Sequence, residues 1–334
     1  MPSPAITVAI PTRNRAHLLR DALESLQAQS FTDFEVVVLD NASVDDTPEV
    51  VRSFDDRFRL DRSPADIGFA ANHLRAIDSG SGRYVTILQD DDLLEPASLE
   101  RRIALVEARP DVSMVHTAFR VSDVELRPIE KVATWDGSPV DIVRDADDFQ
   151  WRTFADGRRS HLSMSLYRRR ALDTATLDLF DAEVLELAAS LRCSLHGRVG
   201  FLGEPLGTVR YHVGQNAVLS GVADGNDAFE RTFAQVRLFR EETRRFLRLF
   251  GDRLADPARL EAGARRWTSR SPRPSWSGPA DEPRDDGRRG PDLAPRRPAP
   301  RAGARGAARL LRADPVRERR LEALQLHRHL GPGL

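Results

Sequence analysis

Three consecutive carboxylates, Asp90, Asp91 and Asp92, are the side chains of this chain with the clearest chemical meaning. They follow an apolar run at residues 84–88 that is typical of a buried strand. Adjacent carboxylates repel one another unless a positive charge lies between them, and a divalent cation bridging a diphosphate would supply that charge. Hard oxygen ligands suit Mg²⁺ or Mn²⁺. The alternative is a solvated acidic turn that begins a helix, with Asp as the N-cap and Pro96 in the first turn.

The elements around the acidic run alternate between strands and helices. Apolar, β-rich segments are followed by segments whose apolar side chains keep helical spacing. This alternation predicts an α/β fold with a mostly parallel central sheet and helices on both faces. Strands are predicted at residues 5–10, 34–39, 58–60, 84–88 and 112–119, and helices at 16–29, 47–54, 68–79 and 99–108.

Four polar loops follow the first four predicted strands, at residues 11–15, 40–46, 63–68 and 89–95. Right-handed crossovers bring the carboxyl ends of parallel strands to one edge of a sheet, where open α/β folds bind ligands. We therefore expect the four loops to converge and form a site, which a single acidic turn would not do.

The second half of the chain is less regular. Residues 120–160 are expected to form an irregular polar insertion, and shorter elements are predicted after it: a strand at 163–167, a helix at 182–195 and two closing strands at 199–202 and 207–212. The pattern at 227–250 predicts an amphipathic helix. Packing against the domain is favoured over membrane docking because Arg and Glu are mixed on its polar face.

Composition and charge narrow the class of protein. One cysteine among 334 residues allows no internal disulfide, and no apolar run is long enough to span a bilayer, so a cytoplasmic protein is expected, with peripheral membrane contact left open. The acidic balance of residues 1–262 argues against nucleic acid as a partner.

From residue 263 the chain is rich in Arg, Pro, Gly and Ala, which predicts disorder. An electrostatic tether to anionic lipid is the functional alternative to a tail without a role.

The loops also carry a recognisable series of motifs: Val-Ala-Ile-Pro-Thr-Arg-Asn-Arg at 8–15, Glu-Val-Val-Val-Leu-Asp-Asn-Ala-Ser at 35–43, Asp-Asp-Thr at 45–47, Ile-Gly-Phe-Ala-Ala-Asn at 67–72 and Gln-Asp-Asp-Asp at 89–92. With these motifs the chain resembles the family 2 glycosyltransferases, inverting enzymes with the GT-A (Rossmann-like) fold. Each motif alone is weak, whereas all five in this order are specific. The resemblance is good over residues 5–120, patchy to 216 and absent from the tail.

The resemblance implies a site for a nucleoside-diphosphate sugar. Pro11 and Thr12 stand where the first strand of the family meets the nucleotide, and Asp40 matches the aspartate that pairs with the base, a suitable partner for its N–H groups. Arg13 is expected to contact phosphate, with an ordinary surface charge as the alternative. Gly68 permits a close approach of the backbone to the ligand.

Within the acidic run, the resemblance assigns Asp90 and Asp91 to the ribose and sugar side and Asp92 to the metal, Mg²⁺ or Mn²⁺. The family more often has an acid where this chain has Gln89, so the division of roles stays open. Asn72 is expected to hydrogen-bond ribose or phosphate, or else to lie on the helix surface.

The closing strand and loop at 204–212 supply two further candidates. Arg210 is assigned to the diphosphate and His212 to the metal, with a purely structural histidine as the alternative. For the general base, which takes the proton of the acceptor hydroxyl, the best match is Asp181. A plain helix N-cap is the alternative role of Asp181, and Glu183 and Asp178 are the substitutes, because the acid that usually precedes the base is replaced here by Phe180.

The expected organisation is therefore a nucleotide-sugar-binding half at 1–120, an acceptor-binding and catalytic half at 121–220, a C-terminal helix at 221–262 and a low-complexity tail at 263–334. The expected partners are the donor and a glycan, lipid-linked or small-molecule acceptor. A catalytically inactive nucleotide-binding relative is the alternative. A nucleotidyltransferase and a dinucleotide oxidoreductase are disfavoured, because no glycine-rich loop follows the first strand.

Overall fold

One mixed sheet organises the part of the chain that the computed structural model describes, residues 3–135, 139–180, 184–210 and 228–269. Its strands are β1 (Ile6–Thr12), β2 (Phe34–Asp40), β3 (Phe58–Arg62), β4 (Tyr84–Ile87), β5 (Leu93–Leu94), β6 (Val112–Ser122), β7 (Pro128–Ala133), β8 (Ile142–Arg144), β9 (Ser165–Arg168) and β10 (Arg198–Arg210). The helices are α1 (Ala16–Gln27), α2 (Thr47–Arg52), α3 (Phe69–Asp78), α4 (Ser98–Ala108), α5 (Ala146–Asp156), α6 (Thr174–Leu177), α7 (Leu185–Ser194), α8 (Ala228–Phe250) and α9 (Pro257–Ser269).

The strand order is β3-β2-β1-β4-β9-β6-β10-β5, with β7 paired to β6 and β8 paired to β10. Strands β3, β2, β1 and β4 are mutually parallel, and β6 is parallel to β10. Strand β9 is antiparallel to both β4 and β6 and joins the two parallel groups. The prediction of an α/β fold with a mostly parallel central sheet is confirmed.

Alternate side chains of the strands enter two apolar cores, one on each face of the sheet. In β2, Val37 and Leu39 enter one core, whereas Val36 and Val38 enter the other. Such apolar, β-branched runs suit strands that are buried on both faces. Helix α1 buries the side chains that the helical spacing selected: Leu18, Leu19, Ala22, Leu23 and Leu26.

Two expectations for the second half of the chain are wrong. The interval 120–160 contains β7, β8 and α5 rather than an irregular insertion. The two predicted closing strands are one strand, β10, whose pairing with β6 shifts register on either side of Pro205. Proline lacks the backbone donor that a ladder needs, so the sequence suggested a break where the strand only bulges.

Helix α8 packs against the domain, as the sequence favoured. Phe239, Phe246, Leu249 and Phe250 are buried in the same core as α5 and α7. The ring centroids of Phe246 and Phe154 are 6.1 Å apart. None of the helices in the described ranges is long and apolar enough to cross a membrane. The first residues of the predicted tail, 263–269, belong to helix α9 instead, with Ala264 buried and Trp267 packed against Phe239. From position 270 onward the tail lies outside the described residues.

Candidate functional site

The nucleotide-side and acidic-run residues lie on one rim, at the carboxyl ends of β1, β2 and β4. Thr12 and Asp40 end their strands in register with each other. The Thr12 hydroxyl donates a hydrogen bond of 2.7 Å to Asp90 Oδ2. Two residues of the predicted site that are 50 positions apart in sequence, Asp40 and Asp90, are therefore both neighbours of Thr12.

Hydrogen bonds between the loops fix the shape of this rim. The Asn14 backbone N–H donates to Ser43 Oγ at 2.9 Å, and the Val44 N–H donates to Asn14 Oδ1 at 2.8 Å. The Asn41 amide donates to Asp66 Oδ1 at 2.7 Å. These bonds connect the loops after β1, β2 and β3, so the convergence expected from topology is present in the structure.

The Asp40 carboxylate is fully buried at the end of β2. Its Oδ1 accepts the Ser43 N–H at 2.9 Å, whereas its Oδ2 accepts no hydrogen bond and lies 3.6 Å from Arg62 Nε. A buried carboxylate oxygen is rarely left without a donor. The open lone pairs of Oδ2 suit an N–H donor from a ligand, such as a nucleobase.

The three acids of the run are buried, with 4%, 2% and 0% of Asp90, Asp91 and Asp92 exposed. The alternative of a solvated, helix-capping turn is therefore wrong: α4 begins only at Ser98 and no side chain caps it. Arg15 Nη1 lies 3.1 Å from Asp90 and 3.2 Å from Asp91, bridging two of the carboxylates.

The run carries negative charge that its surroundings compensate only in part. Burial raises the pKa of the Asp90 carboxyl to about 6, the Asp91 charge adds to the rise, and Arg15 and Thr12 oppose it. Burial and the Asp91 charge likewise raise the pKa of Asp92 well above its usual range. Because both pKa values are raised, ionisation of Asp90 and Asp92 lowers the stability of the folded protein.

Asp92 is held by groups far away in sequence. Its Oδ2 accepts the Ser163 hydroxyl at 2.5 Å, and its Oδ1 accepts the Arg210 backbone N–H at 3.2 Å. Ser163 Oγ also accepts the Gln89 N–H at 3.0 Å, and buried Arg102 donates to the Ser163 carbonyl at 3.1 Å. The carboxylate therefore has a fixed orientation, set by the turn before β9 and by the end of β10.

The acidic run fits a Mg²⁺ or Mn²⁺ ion in donor type and in charge. Its ligands would be carboxylate oxygens, and a cation would offset the burial and the repulsion by Asp91 that raise the pKa values of Asp90 and Asp92. In the described ranges, no three His, Cys, Asp or Glu side chains are clustered so as to hold a metal by themselves. Such ions commonly use one or two carboxylates and complete their shell with water and substrate phosphates.

Gly68 and Asn72 occupy the start of α3, next to the rim. Gly68 has φ 84° and ψ 163°, a conformation open almost only to glycine, and a Cβ there would meet no atom within 4 Å. The Asn72 side chain is buried and donates to the Leu39 carbonyl at 2.8 Å. Asn72 is therefore not on the helix surface. Its side-chain amide binds the backbone at the end of β2 instead of a ligand at the rim.

The two arginines predicted to bind phosphate differ in position. Arg13 is half-exposed at the rim and pairs with Asp66. Arg210 is buried, and its guanidinium pairs with Asp21 of α1, while its backbone N–H holds Asp92. The Arg210 side chain therefore has an intramolecular partner where the sequence suggested a diphosphate.

Two predicted residues, Asp181 and His212, lie outside the described residues, as does Glu183. Asp178 is described, and it belongs to the wall of an open cleft of about 610 Å³ between the start of α3 and α6. The remaining lining residues are mostly apolar: Ile67, Gly68, Phe69, Ala70, Ala71, Leu74, Thr174 and Ala175.

Four residues of the site were given no role from the sequence: Arg15, Arg102, His161 and Ser163. Arg15 belongs to the first motif and could have been found there, because an arginine beside an acidic run is its simplest counter-ion. The other three come from α4 and from the turn before β9, and no local pattern marks them. Burial lowers the pKa of His161 to about 4, so its ring is neutral near pH 7.

The family model described as "Glycosyl transferase family 2" matches residues 7–174, half of the chain. A GalNAc(5)-diNAcBac-PP-undecaprenol beta-1,3-glucosyltransferase of Campylobacter jejuni is 40% identical over 101 residues, 29% of this chain and 32% of that protein. An uncharacterized glycosyltransferase of Rickettsia prowazekii is 30% identical over 105 residues, 31% of this chain and 32% of that protein. The chain thus spans about a third of the length of these relatives.

Solved structures resemble the fold. Residues 1–349 of S. aureus TarS superpose with a TM-score of 0.56 at 17% identity, covering 80% of this chain and 72% of that one. The mannosyltransferase PcManGT of Pyrobaculum calidifontis, in complex with GDP-Man and Mn²⁺, gives a TM-score of 0.50 at 17% identity, covering 80% and 70%. A TarS complex with UDP-GlcNAc also reaches 0.50, at 19% identity with 71% and 66% covered. At such identities the likeness concerns the fold alone.

Proposed function

The chain belongs to glycosyl transferase family 2, and on that premise we propose that it transfers a sugar from a nucleoside-diphosphate sugar to an acceptor hydroxyl with inversion. One observation carries the proposal: Thr12 stands between Asp40, which has an unsatisfied buried oxygen, and the acidic run that begins at Asp90. A ligand with a base at one end and a diphosphate at the other matches these two chemistries.

The donor is expected to be a UDP- or GDP-sugar. Structures with this fold are complexes with UDP-GlcNAc and with GDP-Man. The name of the Campylobacter jejuni relative describes an undecaprenyl-diphosphate-linked saccharide as its acceptor. A lipid-linked saccharide is therefore the first acceptor class to test.

Each residue of the rim has a task in this reaction. Asp40 Oδ2 accepts an N–H of the base, and the backbone at Pro11 and Gly68 lets the nucleotide approach closely. Arg13 contacts phosphate at the exposed rim once the ligand displaces Asp66. Asp90 and Asp91, oriented by Thr12 and Arg15, accept hydroxyl hydrogens of the ribose and the sugar.

Asp92 would hold the divalent cation; His212, the second ligand that the sequence suggested, is outside the described residues. When bound, such a cation offsets the charge that develops on the departing diphosphate. The orientation of Asp92 is set by Ser163 Oγ and by the backbone N–H of Arg210. Through this N–H, and not through its guanidinium, Arg210 serves the donor site.

Asp181 is proposed as the general base. Its carboxylate takes the proton of the acceptor hydroxyl as the oxygen forms a bond to the anomeric carbon. The bond from that carbon to the diphosphate oxygen breaks on the opposite side, so the configuration inverts. The described residues just before it, Leu179 and Phe180, are buried, and Arg245 of α8 donates to the Leu179 carbonyl at 2.5 Å.

Asp92→Ala tests the proposal, with Asp55→Ala as a control, because Asp55 is an exposed acid just before the amino end of β3. A panel of UDP- and GDP-sugars is first screened by thermal shift with and without Mn²⁺, since a bound ligand raises the melting temperature. The stabilising donor is then assayed for transfer to an undecaprenyl-diphosphate-linked saccharide.

We expect Asp92→Ala to lose transfer and the Mn²⁺-dependent part of the thermal shift, and Asp55→Ala to keep both. Full turnover by Asp92→Ala would refute the role of the acidic run. Nucleotide binding without release of sugar from any donor would favour the inactive nucleotide-binding protein instead.

A further inference from the structure

His161 lies in the turn before β9, and its ring faces Asp92 of the acidic run. The turn is fixed, because the His161 carbonyl accepts the Met164 N–H at 3.1 Å and the Ser165 hydroxyl at 2.7 Å. The imidazole packs beside Phe119, with 5.5 Å between ring centroids, and 30% of the side chain is exposed. One part of the ring is thus accessible from solvent while the rest is held by protein.

The Nδ1 atom of this ring is enclosed by the protein and makes no hydrogen bond. It lies 3.7 Å from Asp92 Oδ2, which is too long for a hydrogen bond. Asp92 Oδ2 already accepts the Ser163 hydroxyl, and a carboxylate oxygen retains a second lone pair. A nitrogen and a carboxylate oxygen therefore face each other across a short gap with nothing between them in the contacts described.

A cation shared by the two atoms accounts for this arrangement. Two neighbouring ligands of a six-coordinate ion, each about 2.1 Å from the metal, are about 3 Å apart. A closure of less than about 1 Å between the His161 ring and the Asp92 carboxylate would suffice, starting from the observed 3.7 Å.

We propose that His161 Nδ1 is a nitrogen ligand of the cation held by Asp92, and that this ligand makes the site select Mn²⁺ over Mg²⁺. The inference rests on the proposed function for the presence of the cation. Imidazole binds transition metals better than it binds Mg²⁺, which prefers oxygen ligands. His161 would then take the position that the sequence gave to His212.

The test detects the nitrogen directly. Wild-type protein is loaded with MnCl₂ in the presence of UDP or GDP, and pulsed EPR records ¹⁴N coupling to Mn²⁺. Titrations with Mn²⁺, followed by its EPR signal, and competition with Mg²⁺ give the two affinities. The same measurements are made on His161→Gln, His161→Asn, His212→Gln and, as a control, on His17→Gln, an exposed position on α1.

We expect ¹⁴N coupling in the wild type and in His17→Gln, and its loss in both His161 variants. The Mn²⁺ affinity of these variants should fall tenfold or more, with less than a twofold change for Mg²⁺. Equal circular dichroism and melting temperatures of the metal-free proteins would exclude misfolding, and the Asn variant serves if Gln does not fold.

Coupling that persists in the His161 variants, or that is lost in His212→Gln alone, would overturn the inference. So would bound Mn²⁺ without any ¹⁴N coupling in the wild type. These outcomes are independent of transfer: a protein that transfers sugar without ¹⁴N coupling refutes only the ligand, whereas ¹⁴N coupling without transfer refutes only the activity.

Discussion

Asp90→Asn should stabilise the metal-free protein at alkaline pH, although it removes a residue of the proposed site. The Asp90 carboxyl is buried, and its pKa is raised from the ordinary 3.8 to about 6. The folded state therefore binds this proton more tightly than the unfolded state does. The free energy of unfolding consequently falls as the pH rises from about 4 to about 6, and the loss is complete above that range.

The size of the effect follows from the shift. A difference of about 2.2 pKa units corresponds to about 3 kcal/mol at pH 8, and to about half of that at pH 5. Asparagine keeps a side-chain oxygen that can accept from Thr12 and Arg15, but it carries no charge. Asp90→Asn should therefore exceed the wild type in stability by up to about 3 kcal/mol at pH 8, with a smaller gain at pH 5.

Urea denaturation without divalent metal, at pH 5 and pH 8, measures the difference. Asp45→Asn is a control of opposite sign: burial alone would raise the pKa of Asp45, but hydrogen bonds from Thr47 and Ala16 lower it overall. Neutralising Asp45 should cost stability at pH 8. Two results would refute the claim that ionised Asp90 lowers stability. One is an Asp90→Asn protein less stable than wild type at pH 8, and the other is the same difference in the free energy of unfolding at pH 5 and pH 8.

Three further predictions concern single side chains. Gly68→Ala should lower the free energy of unfolding by about 1–3 kcal/mol, because alanine rarely adopts the backbone conformation of this residue. Gly251→Ala should change it by less than about 0.5 kcal/mol, because a Cβ at Gly251 would meet its nearest atom at 4.0 Å. Urea denaturation compares the two variants. Cys193 is buried and burial raises the pKa of its thiol, so Ellman's reagent should label it only on unfolding, and rapid labelling of the native protein would contradict this. Arg102→Met removes the donor to the Ser163 carbonyl and should weaken Mn²⁺ binding in an EPR titration, because Ser163 orients Asp92. Unchanged affinity would separate Arg102 from the metal site.

The first four strands and their loops could be predicted because the information is local. Strands β1, β2 and β4 are apolar runs that lead directly into polar loops, as β2 does at Asp40. Parallel topology then brings these ends together without any knowledge of tertiary contacts. The hydrogen bond from Thr12 to Asp90 is a consequence of that topology.

The hydrogen bonds that hold the acidic run in place could not be predicted in this way. Ser163 reaches Asp92 from 71 positions away, and its geometry depends on β9 entering the sheet antiparallel to β4. Serine and histidine in a turn before a short strand are common, and nothing in their spacing points to a partner. The buried amide of Asn72 shows the converse: a motif residue assigned to the ligand is used by the fold itself.

The energetics of the rim connect fold and activity. A carboxylate that the fold would prefer to neutralise is a poor structural element, because removing its charge should make the protein more stable. Asp90 and Asp92 both have this property, whereas Asp45, in the loop after β2, has the opposite one. Of these two loops, only the acidic run, which contacts Arg210 of β10 and the turn of His161, therefore lowers the stability of the folded protein by its charge. A bound cation with its diphosphate would stabilise the ionised carboxylates and lower their pKa values. The contribution of the acidic run to the pH dependence of stability should therefore change sign between the free and the loaded protein. If Mn²⁺ and a nucleoside diphosphate left that pH dependence unchanged, the acidic run would not be where they bind.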